Sequence, residues 1–126
     1  MRLLLDTHVV LWGFTEPDRI STAAREAMAS RQNRCFVSLA SLWEIAIKTR
    51  KGQLSAQMDL PGLIEANQDL RPLPISVEHV WRVRRLPRLH GDPFDHLLIS
   101  QALCEDMILV THDRAMGDYG VDVLPT

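Results

Sequence analysis

Four acidic residues, far apart along the chain, stand at positions where one edge of a folded sheet could gather them. Asp6 directly follows a short apolar run, and Asp113 comes three residues after Val110, which ends a second apolar run. Glu44 lies early in an apolar helical segment, and Asp95 lies at the start of another. Two unit charges 4 Å apart repel by roughly 4 kcal/mol at an effective dielectric of 20, so a cluster of these carboxylates must be neutralised by protons or cations.

Carboxylate oxygens in such a cluster favour one class of metal and one class of reaction. Hard cations such as Mg²⁺ and Mn²⁺ prefer oxygen ligands, whereas zinc usually selects histidine and cysteine. Two such cations about 3.5 to 4 Å apart can activate a water molecule and stabilise the leaving oxygen of a phosphodiester. The four acids therefore predict hydrolysis of a phosphodiester bond at a centre of one or two divalent cations.

Each acid also has a purely structural interpretation. Asp6 fits an Asx turn at a strand end, and Glu44 fits a solvated helix residue, although its apolar neighbours favour a buried carboxylate that needs a partner. Asp92 and Asp95 flank a proline in a pattern typical of a helix start, for which we favour Asp92 as the cap and Asp95 as a metal ligand. Asp113 fits the cap of a short helix over residues 114–116.

Histidines and arginines near these acids have less specific signals. Four histidines fall beside the acids, but their spacing matches no zinc signature. We favour polar or phosphate contacts for them, with metal contact or proton transfer as the alternative; they are His8, His90, His96 and His112. The densest basic run fits either a grip on a phosphate backbone or a solvated helix face; it comprises Arg82, Arg84, Arg85 and Arg88.

The elements that must position these residues alternate between strands and helices. Short apolar runs predict strands, which we place at Arg2 to Leu5, Cys35 to Val37, Met107 to Val110 and Val121 to Leu124. Caps, prolines and apolar stripes predict helices, which we place at 21–30, from Ser38 or Ser41 to Gly52, from Pro61 to about Asp69, from Ser76 to before Pro87, and from Asp92 to about Asp106. The apolar stretch from Val9 to Phe14 is taken with the first strand, followed by a turn at residues 16–18.

This alternation predicts an α/β fold with a mostly parallel sheet that is covered by helices on both faces. Ligands in such open sheets bind beyond the carboxyl ends of the strands. Asp6 and Asp113 belong at that edge, and Asp95 joins them if its helix starts there. Four distant acids are therefore expected to converge at one rim.

Composition agrees with one soluble domain over residues 1–126. The 126 residues are 46% hydrophobic and 24% charged, and no apolar run reaches the roughly 18 residues that a membrane span needs. Cys35 and Cys104 lack metal-binding spacing and fit buried thiols in a reducing compartment, so we expect a cytoplasmic protein. The formal charge of −2 argues against a nucleic-acid-binding protein, unless several acids are gathered in one metal site.

Four segments together resemble PIN-domain ribonucleases of the VapC toxin type. They are LLLDTHVVLW, SLASLWEIAIK, HGDPFDHLLISQA and LVTHDRAM, in family order and over essentially the whole chain. The resemblance implies an α/β/α sandwich with a parallel sheet, a Mg²⁺- or Mn²⁺-dependent endoribonuclease activity on RNA, and a homodimer. It also implies a cognate antitoxin that blocks the active site.

The resemblance also implies roles for individual residues. The acids of the family correspond to Asp6, Glu44, Asp95 and Asp113, with the three aspartates binding metal and Glu44 binding metal or positioning and deprotonating the attacking water. Beside them, Thr7 and Thr111 would orient water or ligands, and Asp92 is a possible outer participant. Family members often carry arginines where this chain has Gly91 and His96, which weakens the expectation of RNA contacts at that rim.

Three other functions fit the acids less well. A receiver-type phosphoacceptor domain needs a lysine beyond a late strand, but the two lysines, Lys48 and Lys51, both lie on the predicted Glu44 helix. A haloacid-type phosphatase needs a second acid where His8 stands. A degenerate PIN domain that only binds its antitoxin is disfavoured because all four acids are present.

Overall fold

A parallel sheet of five strands forms the centre of the molecule. The computed structural model describes residues 1–54 and 58–126. The strands are β1 (Arg2–Leu5), β2 (Arg34–Ser38), β3 (Leu70–Leu73), β4 (Ile108–Thr111) and β5 (Val123–Pro125), in the order β3-β2-β1-β4-β5. Every neighbouring pair is parallel, and in the centre Leu3 is in register with Cys35 on one side and Ile108 on the other.

Helices connect the strands, and polar caps define where most of them begin. They are α1 (Thr7–Thr15), α2 (Thr22–Ala29), α3 (Leu39–Arg50), α4 (Leu60–Ala66), α5 (Val77–Arg82) and α6 (Pro93–Glu105). Short 3-10 segments lie at 17–19, 83–85 and 114–119. The predicted caps are confirmed at Ser21, Ser38, Ser76 and Asp92, each of which accepts a hydrogen bond from a backbone N–H of its helix.

The alternating side chains of β1 divide the core into two halves. Leu3 and Leu5 pack with buried residues of α1, α2 and α4, whereas Leu4 packs with buried residues of α6. Helix α5 packs on α6 in the same outer layer. Because each face of the sheet is covered, the central strands carry continuous apolar runs, Leu3 to Leu5 in β1 and Ile108 to Val110 in β4, rather than alternating with polar residues. The predicted α/β/α sandwich is confirmed.

Helix α1, strand β3 and the end of α4 differ from the sequence predictions. Residues Val9 to Phe14 belong to α1 rather than to an extended segment, because Asp6 ends β1 and caps a helix that buries Val9 and Val10 against the sheet. Strand β3 was not predicted, and the helix expected to reach Asp69 ends at Ala66. A central proline usually argues against a strand, but β3 lies at the edge of the sheet, where proline is tolerated.

The strand order places a crevice at the carboxyl ends of β1 and β4. The chain proceeds from β1 outward to β2 and β3, then returns to add β4 and β5 on the opposite side of β1. Such a reversal is where ligands bind in open α/β sheets. Within the part of the chain that the structure describes, no helix has both the length and the apolar character needed to cross a membrane.

Candidate active site

Asp6 is a buried carboxylate held rigidly at the end of β1. Its backbone N–H donates to the carbonyl oxygen of Val110 (2.9 Å), which fixes it against β4. Its Oδ1 accepts from the N–H of Thr7 (2.7 Å), and its Oδ2 accepts from Thr111 Oγ1 (2.7 Å). Burial raises the pKa of Asp6, while the two hydrogen bonds oppose that rise. The carboxylate is therefore both oriented and short of compensating positive charge.

Thr111 joins Asp6 to Asp113. The Thr111 hydroxyl donates to Asp6 and accepts from the backbone N–H of Asp113 (3.0 Å). Asp113 Oδ1 accepts from the N–H of Ala115 (3.0 Å), so Asp113 caps the 3-10 segment that follows. The structural interpretation of Asp113 as a cap is thus correct, and it leaves the side chain at the same edge as Asp6.

Glu44 is buried on α3 and connected to Asp6 through Thr7. The Thr7 hydroxyl lies 2.8 Å from Glu44 Oε1 and 3.0 Å from Ser41 Oγ. The second carboxylate oxygen of Glu44 is 2.7 Å from Lys48 Nζ, one helical turn further on. Glu44 is only 5% exposed, so it is not a solvated helix residue. Thr7 and Thr111 therefore each hydrogen-bond to one of the acids, Glu44 and Asp6 respectively.

Asp95 lies in the first turn of α6, where the negative charges of the site accumulate. Asp92 caps this helix by accepting from the N–H groups of Phe94 (2.9 Å) and Asp95 (3.4 Å). Burial raises the pKa of Asp95 to about 7, with further contributions from the carboxylates of Asp92, Asp6, Glu44 and Asp113. Asp95 and Asp113 bring oxygens within 4.8 Å of each other, whereas Asp6 and Glu44 are near enough to repel Asp95 but lie outside that cluster.

His90 lies close to Asp95 and Asp113. One of its ring nitrogens, one oxygen of Asp95 and one of Asp113 all lie within 4.8 Å of one another. Its Nδ1 accepts from the N–H of Asp92 (3.3 Å), and its buried Nε2 has no hydrogen-bond partner among the described residues. In the sequence, His90 does not stand out from the other histidines, and its closeness to Asp92 in the chain is the one signal that points to it.

The donors of this site fit a hard divalent cation. Carboxylate oxygens predominate, and the raised pKa values of Asp6 and Asp95 reflect a buried site with too little positive charge. Lys48 is the cation in contact with Glu44, and it is bound to one carboxylate oxygen only. Mg²⁺ and Mn²⁺ accept such ligands, and an imidazole nitrogen is compatible with Mn²⁺.

The basic run lies apart from the sheet, on the outer helical layer. Arg82 ends α5, and Arg84 and Arg85 lie in the 3-10 segment after it. The guanidinium of Arg84 sits 5.0 Å from the ring centre of the exposed Trp81. Arg84, Arg85 and Arg88 are exposed. These side chains are accessible to a large ligand.

Known proteins share both the sequence pattern and the fold. A family model described as the PIN domain matches residues 3–121. The chain is 29% identical over 119 residues to Ribonuclease VapC22 of Mycobacterium tuberculosis. The matched residues make up 93% of this chain and 91% of that relative. Two solved structures have the same fold at lower identity. VapBC2 from Rickettsia felis, bound to a promoter DNA fragment, has a TM-score of 0.76 at 16% identity and covers 99% of this chain and 98% of its own. A toxin-antitoxin complex from Klebsiella pneumoniae has a TM-score of 0.64 at 18% identity and covers 97% and 95%.

Proposed function

Because this chain belongs to the PIN domain family, we propose that it is a Mg²⁺- or Mn²⁺-dependent endoribonuclease and the toxin of a toxin-antitoxin pair. One observation carries the proposal: Asp95 and Asp113 bring carboxylate oxygens within 4.8 Å of each other, next to the buried Asp6. A relative that is named a ribonuclease supports RNA as the substrate. RNA hydrolysis also agrees with oxygen ligands at the carboxyl edge of a parallel sheet.

In this proposal the four acids have different roles. Asp6, Asp95 and Asp113 hold the cation, which supplies Lewis-acid stabilisation of the charge that develops on the phosphate. Glu44 positions the attacking water and accepts its proton, in competition with the ion pair that it makes with Lys48. Thr7 and Thr111 keep the carboxylates of Glu44 and Asp6 in fixed orientations.

The activity is tested by incubating the purified protein with total cellular RNA in Mg²⁺, in Mn²⁺ and in EDTA. We expect cleavage that requires the metal and that falls at least a hundredfold in Asp6→Asn. Asp18→Asn is the matched control, because the side chain of Asp18 is 99% exposed and makes only a surface ion pair with Arg25. Full activity of Asp6→Asn would contradict the proposal.

A degenerate domain that binds only its antitoxin is distinguished by calorimetric titration with Mn²⁺. The proposed enzyme binds the ion, and Asp6→Asn and Asp113→Asn each weaken that binding. Absence of such binding would favour the degenerate protein. The antitoxin partner itself is supported by a structural neighbour that is described as a toxin-antitoxin complex.

We further propose that the basic run contacts the RNA backbone and that two copies of the chain associate through α5. Guanidinium groups suit bidentate contacts to phosphates, and three of the four arginines of the run are exposed. Helix α5 presents exposed apolar side chains from Val77, Val80 and Trp81. A dimer would place two basic runs on one assembly and enlarge the surface available to RNA.

A further inference from the structure

A cavity of about 400 Å³ opens directly beside the acids. Asp6 and Asp113 form one part of its wall, and the remaining lining residues are aromatic or basic: His8, Trp12, Arg19 and His112. Its volume lies within the range of about 300 to 1,000 Å³ that is usual for small-ligand sites. The roles assigned above to Asp6 and Asp113 do not account for the aromatic part of this wall, which we call the ring wall.

The ring wall is built around Trp12. The ring centre of Trp12 is 5.8 Å from that of His8 at 42°, and 5.6 Å from that of His112 at 78°. The guanidinium carbon of Arg19 lies 4.6 Å from the Trp12 ring centre, which is within cation–π range. Three π systems and one cation therefore line a single cavity.

Separate elements hold these groups in place. His8 and Trp12 are four residues apart on α1 and so share one helix face, and Trp12 also packs against the hydrophobic core. His112 follows β4, and its Nδ1 lies 3.1 Å from the carbonyl oxygen of Thr126. Arg19 is paired with Glu16 at 3.2 Å. The ring wall is thus part of the fold, next to the end of the strand that carries Asp6.

A nucleobase is the ligand whose chemistry fits this wall. Aromatic rings and guanidinium planes stack on the faces of unpaired bases, and every base offers such a face. Cations bound by the acidic centre attract a phosphate of the RNA. The base next to that phosphate therefore lies beside the acidic centre. In a duplex, both faces of a base are covered by its neighbours, so this cavity accepts a base only from a single strand.

We propose that the ring wall is a subsite that stacks on one unpaired nucleobase adjacent to the scissile phosphate. The inference rests on the proposed ribonuclease function and adds to it a determinant of substrate form. Stacking is sequence-tolerant, so the subsite selects unpaired strands rather than a particular base.

Fluorescence of 2-aminopurine tests the subsite. The probe is a short single-stranded oligoribonucleotide with one 2-aminopurine, and the protein carries Asp95→Asn throughout so that the probe stays intact. We expect binding to quench the probe, and Trp12→Leu to lower affinity about tenfold and remove the quenching. Trp12→Phe, which retains an aromatic face, should keep most of the affinity and most of the quenching. Thermal melting confirms that each variant is folded.

Arg19→Ala provides a second test that does not disturb the core. We expect it to weaken single-strand binding severalfold, whereas its matched control Arg25→Ala, which also removes an arginine from a surface ion pair with an acid, does not. Equal binding by Trp12→Leu and Trp12→Phe would overturn the subsite, as would equal affinity for the same oligonucleotide in a duplex. If Trp12→Leu kept normal RNA affinity but lost antitoxin binding, the subsite would also be overturned. The ring wall would then be assigned to the protein partner.

A failure of the proposed ribonuclease function would give a different pattern of results from a failure of the subsite. If the protein without Asp95→Asn cleaves no RNA with either metal while binding of the probe still depends on Trp12, the nucleobase subsite stands and the ribonuclease assignment is wrong. If cleavage is normal and Trp12→Leu cuts single strands and duplexes as the parent protein does, the ribonuclease assignment stands and the subsite is wrong.

Discussion

Asp95 lies in an environment that strongly disfavours a negative charge. Its pKa of about 7, raised from 3.8 mainly by burial, means that the folded protein holds a proton that the unfolded chain releases near pH 4. The stabilisation from that proton is fully present below pH 3.8 and is lost as the pH rises through 7. In the metal-free protein at pH 8, the ionised Asp95 therefore opposes folding.

Replacing Asp95 by a neutral isostere should consequently stabilise the metal-free protein. In EDTA at pH 8, we expect Asp95→Asn to raise the free energy of unfolding by about 1 kcal/mol, after allowing for solvent screening, and to raise Tm by a few degrees. At pH 5 the difference should be less than half as large, because Asp95 is then protonated in the folded protein but still ionised in the unfolded chain. Thermal melts at both pH values measure it. A variant that is less stable than the parent protein at pH 8 would show that Asp95 is not an uncompensated charge.

Thr111 is the residue whose single hydroxyl serves two acids. Thr111→Val preserves the shape of the side chain but removes the donor to Asp6 and the acceptor for the Asp113 N–H. We expect a loss of about 1.5 to 3 kcal/mol in the free energy of unfolding, because a hydrogen bond to a buried charge is lost. Urea unfolding measures the loss, and Thr15→Val, which removes an exposed bond to a backbone carbonyl, should cost less than 1 kcal/mol.

At the scale of elements, α6 has to begin at the carboxyl edge for Asp95 to reach the other acids. Asp92 determines that start by capping the first turn, and its charge also helps to raise the pKa of Asp95. The two effects are separable because serine caps a helix without carrying a charge. Asp92 can therefore be assigned to the fold or to the site by comparing two substitutions.

We expect Asp92→Ala to lower the free energy of unfolding by about 1 kcal/mol and Asp92→Ser to leave it nearly unchanged. If Asp92 only caps α6, Asp92→Ser also keeps the Mn²⁺ affinity of the parent protein within about twofold. Denaturant unfolding and calorimetric titration of the same preparations measure both quantities. A tenfold loss of Mn²⁺ affinity in a fully stable Asp92→Ser would instead make Asp92 a participant in metal binding.

Elements with local signals were predictable from the sequence, whereas those defined by tertiary context were not. Caps such as Ser38 and Asp92 announce their helices because a side-chain acceptor is needed wherever a helix begins. Helix α1 is capped by Asp6, but Val9 to Phe14 contains no polar residue that would reveal a helical period, so the same run also fits a buried strand. Strand β3 is short and contains Pro72, and only its position at the sheet edge makes it possible.

The site was predictable to the same extent. Strand ends placed Asp6 and Asp113 at one edge, because the chain direction of parallel strands determines where their termini lie. The hydrogen bonds through Thr7 and Thr111 and the approach of His90 depend on side-chain packing, which spacing alone does not specify. The ring wall is of the same kind, because Trp12, Arg19 and His112 come from three segments that only the fold brings together.

At the scale of the whole molecule, the formal charge of −2 conceals an uneven distribution. Five acids, Asp6, Glu44, Asp92, Asp95 and Asp113, lie in or beside the site together with Lys48, which leaves eleven acids and thirteen basic residues elsewhere. The rest of the molecule therefore carries a net charge of +2. Without cations, the acidic site repels phosphates, and bound cations would turn that repulsion into attraction. The net negative charge of the protein is therefore compatible with an RNA substrate.

The exposed apolar side chains of α5 identify the surface through which two copies would associate. Val77 is 87% exposed, Val80 54% and Trp81 65%, although α5 is packed on α6 by its other face. A contiguous exposed apolar patch of this kind is typical of an interaction site, and a two-fold dimer would bury the same patch on both copies.

Light scattering coupled to size-exclusion chromatography should therefore give the mass of two chains, not one 14.3 kDa chain. Val77→Glu and Trp81→Glu should each shift the protein to the monomer, because a charge in an apolar interface is left without a partner on both copies. Leu63→Glu is the matched control: Leu63 is 39% exposed on α4, in the opposite helical layer, and its change should leave the dimer intact. A dimer that survives both α5 substitutions but dissociates in Leu63→Glu would move the interface to the other face of the sandwich.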